Sequence, residues 1–115
     1  MFCETCIFDV KPDKVEEFEQ VIKELVSYLK SFDQTYNVYV MKRTHRMSDD
    51  LVKQGKPPIK LKRIIKSVKF IMFWQLKVYE SHGEITKLYF EKFNKRINRL
   101  TLMPGTKHLG EELVF

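Results

Sequence analysis

Val68-Lys69-Phe70-Ile71-Met72-Phe73-Trp74-Gln75-Leu76-Lys77-Val78-Tyr79-Glu80 is the stretch that decides the fold. It is rich in β-branched and aromatic residues, holds neither Gly nor Pro, and reads as a central β-strand. Side chains alternate across a strand. Val68, Phe70, Met72, Trp74, Leu76 and Val78 then share one face, which is apolar from end to end. Lys69, Ile71, Phe73, Gln75, Lys77 and Tyr79 share the other, apolar only at its centre. A sheet packed on helices alone leaves one wet face. Here the second face also asks for cover at Ile71 and Phe73, from a second sheet, a partner chain or a ligand.

The elements on either side complete the order. Phe2–Val10 reads as a first strand, with Cys6, Phe8 and Val10 on one face and Thr5, Ile7 and Asp9 on the other. Lys11-Pro12-Asp13 stops it and opens a helix, because Pro suits the first helical turn and acids suit its N-terminus. Val15, Phe18, Val21, Ile22, Leu25, Val26 and Leu29 recur at helical spacing, so this helix should run to about Ser31. Tyr36–Arg46 reads as a second strand, and Met47–Pro58, with Gly55 and Pro57-Pro58, as a long loop. Ile59–Ile65 alternates Ile and Leu with Lys and leads into the central strand.

Beyond it, Ser81 is the expected N-cap, with Glu84 completing a capping box. The helix it opens should bury Ile85, Leu88, Tyr89, Phe93, Ile97 and Leu100, and Pro104-Gly105 ends it. His108–Phe115 closes the chain as a strand whose apolar members are Leu109, Leu113 and Phe115. The order β-α-β-β-α-β predicts an α+β, ferredoxin-like sandwich with two helices on one sheet face. The whole chain, 1–115, is expected to be one such domain, with a basic loop insertion around 47–63.

Composition narrows the function classes. At 115 residues the chain can bury a real core, and 43% hydrophobic content excludes a disordered segment. The longest apolar run is too short to span a bilayer. Glu4 and Asp9 interrupt the N-terminus where a signal peptide would be apolar, so the cytoplasm is the expected location and no membrane partner is expected. The net charge of +6 is local: ten Lys or Arg between Lys42 and Lys69 face only Asp49 and Asp50, and elsewhere the signs nearly cancel. An anionic partner should be met on the 42–69 segment, unless those cations only keep a loop solvated.

Cys3 and Cys6 form a C-x-x-C, but residues three apart on a strand face opposite ways, which opposes a disulfide. With no second cysteine pair and no histidines at ligand spacing, no metal site is expected. Gly55 and Gly105 stand alone, so no phosphate-cradling loop is readable.

Phe8-Asp9-Val10-Lys11-Pro12-Asp13-Lys14-Val15-Glu16-Glu17-Phe18 resembles the start of the antibiotic-biosynthesis-monooxygenase-like domains, and so does the strand-to-helix step Leu76-Lys77-Val78-Tyr79-Glu80-Ser81. The resemblance covers nearly the whole chain. It implies a homodimeric α/β barrel in which two sheets pack face to face, covering the second face of the central strand. It also implies a cofactor-independent monooxygenase, an oxidoreductase acting on a small hydrophobic or aromatic molecule. The haem-degrading branch of that family carries an Asn on the first strand, an aromatic at the strand-to-helix step and a His one turn into the helix. Here those positions hold Thr5 or Cys6, Tyr79 and Leu88, so no cofactor is expected and haem is matched only at Tyr79.

A cofactor-free oxygenase needs an apolar cavity, a polar group for the substrate oxygen and a base or donor. Trp74, Tyr79 and His82 are the catalytic candidates. Asn37, Tyr39, Phe70, Met72, Phe73 and Gln75 are the candidate ligand-binding residues. Against this, Trp74 and the phenylalanines could simply be core, and His82 beside a helix start reads as a surface residue, because that position disfavours imidazolium. Two other functions stay open. One is a non-catalytic carrier of a small ligand or haem. The other is an RNA-binding module, since RNA-recognition domains share this element order and stack bases on third-strand aromatics. Lys69-Phe70-Ile71-Met72-Phe73 lacks the glycine of that motif, so nucleic acid is the less favoured partner.

Overall fold

The computed structural model describes residues 1–63 and 66–115. The central run forms β5 (Val68–Leu76), inside the sheet between β1 (Phe2–Val10) and β2 (Thr35–Lys42). β6 (Thr106–Glu111) pairs with the far edge of β1, giving the antiparallel order β2-β5-β1-β6. Helices α1 (Val15–Lys30) and α3 (Glu80–Leu100) lie on one face. This is the ferredoxin-like α+β sandwich that the alternation of β5 and the periods of the two helices require.

Burial follows the pleat. Val68, Phe70, Met72, Trp74 and Leu76 are buried against the helices, and Lys69, Ile71, Phe73 and Gln75 are half-buried on the opposite face. From α1, Phe18, Val21, Ile22, Leu25 and Leu29 enter the core, with Phe18 stacked 4.8 Å from Phe70 and 5.3 Å from Phe8. Each such side chain, removed fully from water, contributes about 1.5–3 kcal/mol. At Gly105 the backbone passes close to that core: a Cβ there would stand 2.8 Å from Cys6 Sγ.

Several boundaries depart from the periodicity. β5 stops at Leu76, because Lys77 N–H turns to donate to Gln34 C=O; Val78 and Tyr79 lie beyond the strand and are exposed. α3 starts at Glu80 with Tyr79 as its N-cap and no side-chain cap, so Ser81 lies inside the helix and forms no capping box with Glu84. Ile85, Tyr89, Phe93, Ile97 and Leu100 are buried as expected, but Leu88 is 43% exposed, one residue off the buried stripe. Strand β2 ends at Lys42. His45–Arg46 (β3) belongs instead to a separate two-stranded sheet with Ile59–Lys60 (β4).

The 47–58 stretch is not all loop: α2 (Asp49–Lys53) opens on Ser48, whose Oγ accepts from Leu51 N–H, and the chain turns at Gly55 with φ +64°. The alternating run expected over 59–65 is strand only at β4, and its end at 64–65 lies outside the described residues. β6 starts at Thr106 and ends at Glu111. Leu113 and Phe115 fall outside it and are exposed, since past Glu111 no strand pairs with them.

Candidate functional site

The alternation that sends Cys6, Phe8 and Val10 into the core also sends Glu4 there. Glu4 pairs with Trp74 on β5 and with Leu109 on β6, and it has no solvent exposure. A buried carboxylate is costly unless it is paired. The pairing comes from α3. β5 ends two residues past Trp74, the chain reverses over Lys77–Tyr79, and the first turn of α3 is laid across the Glu4 end of the sheet. His82, Ile85, Thr86 and Tyr89 follow at i, i+3, i+4 and i+7, one face of the helix.

On that face His82 Nε2 lies 2.7 Å from Glu4 Oε1, so the imidazole N–H donates to the carboxylate. Lys107, on β6 opposite Cys6, brings its Nζ to 3.9 Å from the same oxygen and donates to the Tyr89 hydroxyl. Among the described residues Glu4 Oε2 has no hydrogen-bond partner. Thr86 Oγ1 stands 3.4 Å from His82 Nδ1. Around these polar atoms the wall is aromatic: the Trp74 ring lies 5.2 Å from His82 and 6.2 Å from Tyr89, and Phe2 meets His82 edge-on at 5.4 Å.

The electrostatics follow from that geometry. Burial pushes the Cys6 thiol up to about 12, the Glu4 charge adds to the rise, and Lys107 opposes it. Burial and then the Glu4 charge also raise the Tyr89 phenol well above its ordinary value. Both groups are therefore neutral beside Glu4. At the other end of β1, Asp9 is held below the usual carboxylate range, chiefly by the hydrogen bond from Lys69 Nζ at 2.6 Å and against the opposing effect of burial.

The structure divides the residues proposed from sequence. Trp74 and His82 come together, and the His82 side chain is only 14% exposed, which overturns its reading as a surface residue. The helix start that makes it look exposed is roofed over Glu4. Tyr79 is 64% exposed; its ring meets Phe2 at 6.3 Å, and its C=O accepts from His82 N–H at 3.0 Å. Phe70 and Met72 share the helix-facing side with Trp74 but sit further along β5. Asn37, Tyr39, Phe73 and Gln75 are on the opposite sheet face, where Tyr39 stacks on Phe73 at 5.2 Å. One cavity cannot be lined by both groups. Glu4 is the residue that sequence reasoning passes over, although its place two residues before Cys6 marks it as inward-facing.

Three surface concavities stand out, and none is lined by Trp74. The nearest to the cluster, about 280 Å³, is bordered by Phe2, Lys77, Val78, Tyr79 and Glu80. Phe2 thus lies between His82 and that concavity. Among the described residues no group of three or more His, Cys, Asp or Glu could hold a metal ion, and no helix is long and apolar enough to cross a membrane.

No protein-family model matches the sequence, and no curated protein does. Solved structures do match. An antibiotic biosynthesis monooxygenase superposes with a TM-score of 0.70 at 11% identity, covering 99% of this chain and 100% of that one. A single-site variant of SnoaB, a cofactor-independent oxygenase from Streptomyces nogalater, gives 0.67 at 10% identity over 99% and 94%. The Mycobacterium tuberculosis protein Rv0793 gives 0.70 at 10% identity over 99% and 96%. At these identities the likeness is one of fold. The resemblance carried by Phe8–Phe18 and Leu76–Ser81 therefore holds for the architecture: this chain has the ferredoxin-like fold of the antibiotic biosynthesis monooxygenase structures.

Proposed function

We propose that the chain is a cofactor-independent oxygenase for a small hydrophobic or aromatic molecule, with His82, oriented by Glu4, as its base. The observation that carries this reading is the Glu4–His82 pair: a fully buried carboxylate holding an imidazole against Trp74, on the fold of a known cofactor-independent oxygenase. The carboxylate fixes the ring and stabilises the imidazolium formed when the ring takes a proton, as in other carboxylate-oriented histidine bases. With Nε2 engaged by Glu4, Nδ1 is the nitrogen that works; Thr86 Oγ1 stands 3.4 Å from both ring nitrogens.

A suitable substrate has an acidic methylene flanked by aromatic rings. His82 removes one proton, the resulting carbanion reduces O₂, and the methylene becomes a carbonyl. One oxygen atom stays in the product and the other leaves as water. The methylene supplies all four electrons, so no external reductant is needed. Trp74 is fully buried, so in this reading a substrate reaches it only when Phe2 swings away from the concavity outside. A haem reading is less well supported, because His82 Nε2 already binds Glu4 and Leu88 is turned outward.

We also read the opposite sheet face as the contact for a second copy. Ile7, Ile71 and Phe73 are half-buried there, and Tyr39 and Met41 are more than half exposed around them. The test of function is oxygen uptake with anthrone as the probe. Uptake above the blank that is lost in His82→Gln and in Trp74→Phe, with folding intact, is the expected result. Uptake no faster than the blank, or unchanged in both variants, overturns the assignment.

A further inference from the structure

The basic segment 42–69 does not simply surround the fold. Its described residues line a groove of about 660 Å³ at the Asp9 end of β1, roughly 17 Å along the strand from Glu4 at about 3.4 Å per residue. Its walls come from separate parts of the chain and are tied together by main-chain hydrogen bonds. Arg43 N–H donates to Lys69 C=O at 2.9 Å, Leu61 N–H to Thr44 C=O at 2.8 Å, and Leu102 N–H to Asp9 C=O at 2.9 Å. The two-stranded sheet of β3 and β4 thus forms one side of a built concavity.

The lining combines two properties. Lys42 and Lys69 are occupied by Glu19 and Asp9, at 3.1 and 2.6 Å. Arg43, Lys60, Arg63 and Lys66 also line the groove, and among the described residues none of them has an ion-pair partner. Asp9 is the one acid in the lining and is already neutralised by Lys69. Beside these cations stand Leu61, Leu102 and Met103, the last two 46% and 51% exposed. Among the described residues no aromatic side chain lines the groove, so they offer bases no stacking platform, which single-strand binding relies on.

We infer that this groove binds a small amphipathic anion, a phosphate monoester carrying a short apolar chain. Unpaired guanidinium and ammonium groups converge on the phosphate, and Leu61, Leu102 and Met103 take the chain. An inorganic anion leaves the apolar wall unused, and an alcohol leaves the cations unused.

The test is a calorimetric titration of the full chain with hexyl phosphate, with inorganic phosphate, with hexanol and with a short single-stranded RNA, each at two salt concentrations. Hexyl phosphate is expected to bind about tenfold more tightly than inorganic phosphate and to shift the Met103 methyl resonance. The double variant Arg43→Gln/Lys66→Gln should lose that affinity by about tenfold or more, and Lys14→Gln, which lies outside the groove, should not. Hexyl phosphate binding no better than phosphate, or an equal loss in Lys14→Gln, overturns the inference. RNA binding more tightly than hexyl phosphate, with a steep salt dependence, also overturns it and makes the groove a nucleic-acid surface instead.

Discussion

Glu4 Oε1 and His82 Nε2 lie 2.7 Å apart across 78 residues of sequence, joining the first strand to the first turn of the last helix. Neither residue is explained by the apolar core around it. A buried carboxylate–imidazole hydrogen bond of this kind adds little net stability over a well-packed hydrophobic alternative, whereas removing one partner is expensive.

His82→Ala should therefore destabilise the fold by about 3–5 kcal/mol, because it strands the Glu4 charge with only Lys107 near it. Glu4→Gln in the same background should restore part of that loss, since a neutral amide costs less to bury. Urea unfolding of the two single variants and the double variant measures this directly. Additive losses in the double variant would show that the two side chains do not act on each other.

Acid should find a different residue. The pKa of Asp9 is lower in the folded chain than in the unfolded one, so the unfolded state binds the proton more readily. The Asp9–Lys69 contribution is then fully present above the ordinary carboxylate range and is lost as pH falls through the folded-state value. Asp9→Asn should flatten the acid limb of the stability–pH curve and leave the neutral region nearly level. Denaturation midpoints measured from pH 6 downward would show it; parallel acid limbs for the two proteins would contradict it.

The alternation of β5 and the helical stripe of α1 are legible residue by residue, because each reports one buried face at a fixed period. Glu4 obeys the same alternation, yet a carboxylate inside a strand looks like an interruption until its partner is known. That partner cannot be read from spacing. His82 reaches Glu4 only because β5 stops at Leu76 and α3 starts at Glu80, and both limits are set by tertiary contacts such as Lys77 N–H on Gln34 C=O. The division of the aromatics is likewise a matter of register: Trp74 and Phe73 are neighbours in sequence and sit on opposite faces. The short helix α2 escapes periodicity because none of its residues is buried.

The two thiols should respond differently to alkylation. Cys6 is 1% exposed and its thiol is pushed up to about 12, so the reactive thiolate is both scarce and inaccessible in the folded chain. Cys3 is half-buried on the other sheet face. Iodoacetamide at pH 8 should leave Cys6 unmodified in the native protein and modify both cysteines in denaturant, as read by intact mass. Equal labelling of both in the native state would mean that the β1 interior opens readily.

Phe73 provides the sharpest test of the assembly. It sits at the centre of the outward sheet face, flanked by Ile71 and Gln75 along β5, facing Thr5 across β1 and Tyr39 across β2. A charge placed there stays solvated in a lone chain, which makes Phe73→Lys nearly neutral for folding. In a face-to-face pair of sheets the same charge is buried twice across the two-fold axis and must lose its water. Light scattering after size exclusion should give the mass of two chains for the natural protein and of one chain for Phe73→Lys, with unchanged far-ultraviolet circular dichroism. A natural protein that runs as a single chain at every concentration would leave Ile71, Phe73 and Tyr39 as an open surface, and the paired-sheet assembly would be wrong.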